Sequence, residues 1–109
     1  MARISTHVLD VETGRPAAGI AVDLYRGGAL ISSTRTNPDG RTDQPLLYAE
    51  ELDFGPYEIV FHAGEYLKMR VPVPFYDDIT IRFCVTEPAK NYHVPLLLAA
   101  HGYSTYRGS

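Results

Sequence analysis

A chain of 109 residues has room for one hydrophobic core, and a single domain over residues 1–109 is expected. Ten Lys and Arg against 13 Asp and Glu leave a net charge of −3 with no basic run, which argues against nucleic acid or an anionic membrane as partner. No stretch approaches membrane-spanning length, the first residues hold no apolar signal core, and the lone Cys84 permits no intrachain disulfide, so a cytoplasmic protein is expected.

Period-two alternation dominates the chain. Ile4, Thr6 and Val8 share one face of a first strand and leave Ser5, His7 and Leu9 on the other. The Gly and Pro in Asp10–Pro16 mark a turn. Ile20, Val22 and Leu24 define a second strand, and Gly27-Gly28 reverses it into Leu30–Thr36. Asn37-Pro38-Asp39-Gly40 is a strong turn signal, because Pro presets one dihedral and Gly accepts a left-handed one; Arg41 follows at once. Thr42–Leu47, interrupted by Pro45, reads as a short edge strand, and Tyr48–Phe54 as a loop or helical turn.

Tyr57, Ile59 and Phe61 alternate in a further strand. Gly64–Arg70 is the one plausible helix; Pro72 and Pro74 stop it. Ile79, Ile81, Phe83 and Val85 give the cleanest alternation, and Tyr92–Leu98 with Gly102–Gly108 reads as a closing hairpin. About eight short strands and one short helix predict an all-β fold, an antiparallel β-sandwich. Tyr106-Arg107-Gly108-Ser109 closes the chain inside a strand-like pattern, which predicts that this end belongs to a packed site.

His7 and His93 each lie mid-strand opposite the core set. Beside His93 stand Pro95 and Leu97, too apolar for free solvent, so another subunit is expected to cover that face. Partly desolvated imidazoles there would exchange protons near neutral pH. Arg41 presents a planar fork suited to a carbonyl or an anion, although on pattern alone an exposed turn arginine is the favoured reading. His62 and His101 read as structural or surface residues. Ser5, Ser104 and Ser109 sit in no nucleophile elbow, no phosphate-cradling loop is present, and no histidine spacing supports a metal. Asp77-Asp78 reads as a solvated turn and Cys84 as a half-buried filler.

Ser5-Thr6-His7-Val8-Leu9-Asp10 with Gly14-Arg15-Pro16-Ala17 resembles the opening of the transthyretin-related proteins. Thr36–Arg41 resembles their turn motif, and Tyr92–Leu97 with Gly102–Ser109 their closing signature. The terminal Tyr-Arg-Gly-Ser resembles the 5-hydroxyisourate hydrolase branch and is absent from the hormone carriers. The resemblance runs through the whole chain in order. It implies two packed four-stranded sheets per subunit and a homotetramer, a dimer of dimers, whose facing sheets line a channel. It also implies hydrolysis of 5-hydroxyisourate to 2-oxo-4-hydroxy-4-carboxy-5-ureidoimidazoline, without cofactor or metal. By motif, His7, Arg41, His93 and Ser109 would be catalytic, and Arg41, Tyr106, Arg107, Gly108 and Ser109 would bind substrate. Two positions depart from the pattern: Asn91, where the family commonly has histidine, and Ala99-Ala100-His101, where it commonly has Ser-Pro. The alternatives are a non-enzymatic small-molecule carrier of the same fold and a purely structural sandwich.

Overall fold

The computed structural model describes residues 1–108. Among the described residues, nine strands and a helix follow one another: β1 (Ala2–Asp10), β2 (Arg15–Pro16), β3 (Ala21–Arg26), β4 (Ala29–Arg35), β5 (Leu47–Ala49), β6 (Gly55–Phe61), α1 (Ala63–Leu67), β7 (Ile79–Val85), β8 (Tyr92–Ala99) and β9 (Gly102–Thr105). One sheet has the order β4-β3-β6-β7, antiparallel throughout. The other has the order β2-β1-β8-β9, with β5 also paired to β1. β2 pairs with the far end of β1 at Leu9 and Asp10, and β5 with its beginning at Ala2–Ile4, so the two act as halves of one broken edge strand.

Alternation fixes what is buried. Ile4, Val8, Leu96 and Leu98 from one sheet are sealed against Val22, Leu24, Ile59 and Phe61 from the other. Each such side chain contributes roughly 1.5–3 kcal/mol relative to exposure. Asp10 is the charged residue of this interior among those described, beside the buried Thr6 and Thr36. Its carboxylate accepts from Tyr66 Oη at 2.7 Å, from the Arg70 guanidinium, and from the backbone of Glu12 and Thr13. Burial alone would raise its pKa, but the hydrogen bonds from Tyr66 and Arg70 outweigh that and hold it below the ordinary carboxylate range. The network fastens the end of α1 to the end of β1.

Several details differ from the sequence reading. β1 and β8 run parallel, in the register Ser5↔His93 and His7↔Pro95, so the sandwich is not wholly antiparallel. Alternation assigns faces within a strand and is silent on which strand lies beside it. The expected edge strand at Thr42–Leu47 begins only at Leu47 and extends into the segment read as a loop. Upstream of it, Thr42 Oγ1 donates to the Gln44 carbonyl and Pro45 has no N–H to offer a ladder. The helix is shorter than Gly64–Arg70: it ends at Leu67, after which Met69 and Arg70 bond three residues back, to the Tyr66 and Leu67 carbonyls, and the four-residue ladder is broken. Cys84 is exposed rather than half-buried. β9 stops at Thr105, and Gly108 rejoins the sheet as a single bridge to His93.

Candidate active site

The outer face of the β1–β8 pair carries the residues singled out by alternation. Arg3, Ser5 and His7 follow one another on β1, with Asn91 and His93 beside them at the start of β8. A cleft of about 680 Å³ opens over this face. His7, Arg41, His93, Tyr106 and Gly108 all line it, together with Arg3, Ser5 and Asp43.

His93 is held from two sides. Its Nδ1 lies 2.9 Å from Ser5 Oγ, a contact that the parallel register creates. Gly108 donates its N–H to the His93 carbonyl at 2.8 Å and lies against the ring so closely that a β-carbon there would stand 2.5 Å from Cδ2. Only glycine fits. Burial pushes the imidazole below its ordinary pKa, and the positive charge of Arg41 and of His7 pushes the same way, so neutral His93 is the favoured form near neutral pH.

His7 is fixed differently. Its Nε2 lies 3.0 Å from the Asp39 carbonyl oxygen. A carbonyl only accepts, so Nε2 is the donor and the neutral ring keeps Nδ1 bare. Asp39 belongs to the turn that also delivers Arg41, and that turn is docked on β1 by a bond from Val8 N–H to the Gly40 carbonyl at 2.8 Å. The cleft thus joins an imidazole whose basicity is lowered, a second imidazole of defined tautomer, and an arginine from a neighbouring loop. Such a set can accept a proton from water and hold charge on a small polar ligand.

A family model described as the HIUase/Transthyretin family matches residues 4–108. The chain belongs to that family. It is 49% identical over 115 residues to the 5-hydroxyisourate hydrolase 2 of Rhizobium meliloti (strain 1021), an alignment covering 98% of this chain and 96% of that one. Among solved structures, the 5-hydroxyisourate hydrolase of Klebsiella pneumoniae superposes with a TM-score of 0.88 at 35% identity over the full length of both chains. (S)-allantoin synthase superposes with a TM-score of 0.90 at 37% identity over 99% of this chain. The match spans 44% of that longer molecule.

Within this family member, the residues named from sequence do not all converge. Arg107 stacks its guanidinium 4.3 Å from the Tyr92 ring centre and reaches the Asn91 carbonyl at 3.4 Å, away from the cleft. Ser109 lies outside the described residues. Asn91, the departure from the family pattern, lines the cleft and accepts the Arg3 backbone N–H on Oδ1 at 3.2 Å. In the Ala99–His101 turn, Ala100 N–H is held by Glu12 Oε1 at 3.0 Å, which ties the turn without proline. His62 is remote from the cleft and sits between Asp23 Oδ2 at 2.9 Å and Asp78 Oδ1 at 3.0 Å. His101 is exposed.

Sequence reasoning passed over Ser5, discarded for want of a nucleophile elbow. Its alternation partner His7 put it on the right face; the missing signal was the strand neighbour that brings His93 to it. The Asp39 carbonyl was likewise invisible, since its role belongs to the backbone.

Proposed function

We propose that this chain, a single domain over residues 1–109, is a 5-hydroxyisourate hydrolase. Relatives of that name, 37–50% identical, match across nearly the whole chain. The observation that carries the reading is the one cleft shared by His7, His93 and Arg41 in such a chain. The reaction is the opening of a cyclic amide by water, giving 2-oxo-4-hydroxy-4-carboxy-5-ureidoimidazoline, a step of urate breakdown.

His93 is the general base. It is the imidazole that burial and nearby positive charge keep unprotonated, as a base must be before it takes a proton from water. The water oxygen bonds to the ring carbonyl carbon, and the displaced electron pair forms an oxyanion beside the Arg41 guanidinium. Collapse breaks the carbon–nitrogen bond, and the proton taken by the imidazole passes to the leaving nitrogen. His7, with Nε2 committed to Asp39, offers Nδ1 as the second station for that proton. Gly108 backs His93, Tyr106 closes the wall around a planar ligand, and Ser109 positions substrate or water. Arg107 acts from behind the strand by holding the terminal segment to Tyr92.

The cleft face and the edges of β7 and β9 suit burial in a homotetramer, a dimer of dimers, with facing sheets enclosing the sites. A cytoplasmic location accompanies this reading; no helix among the described residues is long and apolar enough to cross a membrane.

The test follows the ultraviolet decay of 5-hydroxyisourate freshly made from urate. Wild type is expected to exceed the spontaneous rate and His93→Asn to lose the excess. A folded wild type that leaves the spontaneous rate unchanged would overturn the assignment.

A further inference from the structure

The loop that delivers Arg41 is organised by one side chain. Asn37 Oδ1 accepts two backbone N–H groups, those of Asp39 at 2.9 Å and Arg41 at 3.2 Å. Its Nδ2 donates to Asp43 Oδ1 at 3.0 Å. The reversed amide would aim donors at donors and an oxygen at a carboxylate, so a single orientation satisfies all three partners. The backbone closes the same loop: Gly40 N–H donates to the Asn37 carbonyl at 2.8 Å, and Asn37 N–H to the Arg41 carbonyl at 2.7 Å. The amide side of the Asp39–Gly40 peptide is therefore anchored. Its carbonyl faces His7 Nε2.

We propose that Asn37 is a positioning residue of this cleft: by holding the Asp39 and Arg41 N–H groups that flank the Asp39–Gly40 peptide its side chain aims that carbonyl at His7 and assigns the His7 proton to Nε2, and by the same bonds it seats Arg41. The catalytic half of the proposal rests on the hydrolase reading. The loop has nowhere to retreat. Gly40 has a left-handed φ of +75°, and a β-carbon on it would lie 2.4 Å from the Val8 carbonyl oxygen. The peptide therefore meets β1 without clearance, and what remains adjustable is its tilt, which the Asn37 side chain restrains from both flanks through the Asp39 and Arg41 N–H groups. A tilted carbonyl would release the imidazole to rotate or to exchange tautomers, and the nitrogen able to take a proton would no longer be defined. Two groups on different elements, one on β1 and one on a loop, thus share a single support that touches neither reacting atom.

The experiment reads the His7 ring nitrogens by NMR in ¹⁵N-labelled wild type, with His7→Gln to assign the signals. A protonated Nε2 in slow exchange with water is expected. Asn37→Ala should lose that signal and lower kcat by about ten-fold or more, part of the roughly 10²–10⁴-fold that general acid–base catalysis contributes. The exchange variant Asn37→Asp with Asp43→Asn keeps the acceptor, the donor and the net charge, and should regain both. A wild-type His7 with its hydrogen on Nδ1 would overturn the proposal whatever the variants do. So would Asn37→Ala with the Nε2 signal intact, or an exchange variant that unfolds at the wild-type temperature yet recovers neither property. Should Asn37→Ala fail to fold, Asn37→Ser supplies a shorter side-chain acceptor without the amide group that donates to Asp43, and faces the same readout. A wild type with the expected signal but no acceleration of 5-hydroxyisourate decay would sink the hydrolase reading and the catalytic half, and support the tautomer half.

Discussion

Replacing Gly108 by alanine adds one methyl group at the most crowded point of the cleft. Its carbon would stand 2.5 Å from His93 Cδ2, 3.2 Å from Cγ and 3.3 Å from Cβ. Carbon atoms rest at about 3.5–4.0 Å, so the imidazole must move by about 1 Å. A shift of about that size strains or breaks the 2.9 Å contact to Ser5 and carries the ring off line. Misplacement of a reacting group by about 1 Å costs about 10²-fold in rate, or about 2.7 kcal/mol of transition-state stabilisation. Stability should change much less, because the lost interaction is one hydrogen bond worth about 1 kcal/mol, a shift of about 4–8 °C in Tm. The assay is 5-hydroxyisourate decay at saturating and limiting substrate, run beside thermal unfolding. Because both changes act through one imidazole, Gly108→Ala placed on His93→Asn should add little further loss. A folded Gly108→Ala within about two-fold of wild type would refute the reasoning, since it would mean that His93 tolerates displacement of the order at which positioning effects are large.

Protonation supplies further outcomes. Burial and the Arg41 and His7 charges lower the His93 pKa, so the acid limb of kcat/KM should fall below pH 6.5 and move upward in Arg41→Gln; a wild-type limb above 6.5 contradicts this. His62 has its pKa raised above 6.5, first by its hydrogen bond to Asp23 and further by Asp78. Its stabilising effect is complete below the unfolded value of 6.5 and is lost as pH rises through the folded value, so the Tm gap between wild type and His62→Gln should narrow upward in pH. A gap independent of pH would exclude the imidazolium. Asp10→Asn should destabilise by about 2 kcal/mol, because the buried carboxylate loses its charge-assisted hydrogen bonds from Tyr66 and Arg70, while Arg70, itself exposed, keeps Glu12; a loss below about 0.5 kcal/mol would mean the charge is not needed there.

Much of this site was legible because alternation is a local property. Once Ile4 and Val8 are core, His7 must face outward, and Val94 with Leu96 decides the same for His93. The Pro38–Gly40 chemistry announced a turn that ends at Arg41. What stayed hidden is relational. Ser5 meets His93 only because β1 and β8 are parallel and in that register, and one residue of slip would separate them. The Asp39 carbonyl is supplied by backbone geometry, to which residue type is blind. Arg107 stands next to Gly108 in sequence but is drawn off by the Tyr92 ring, a cation–π contact that no spacing reveals. Cys84 looked partly covered because its strand is apolar, yet it faces outward opposite Pro56 on an edge strand.

The interrupted strand beside β1 has a bearing on assembly as well as on chemistry. A whole strand there would offer a continuous row of unpaired N–H and C=O groups, the template on which foreign chains add. Instead the rim is paired at its two ends and plugged between them by the Gly40 turn, so no run long enough to nucleate a further strand is left. The same vacancy admits a loop over the sheet, and that loop brings the arginine. Filling residues 42–46 with a strand-forming sequence of matching length would complete the rim, cover the approach to His7 and expose a full edge. Loss of hydrolysis and gain of aggregation should then appear together, from one change of backbone.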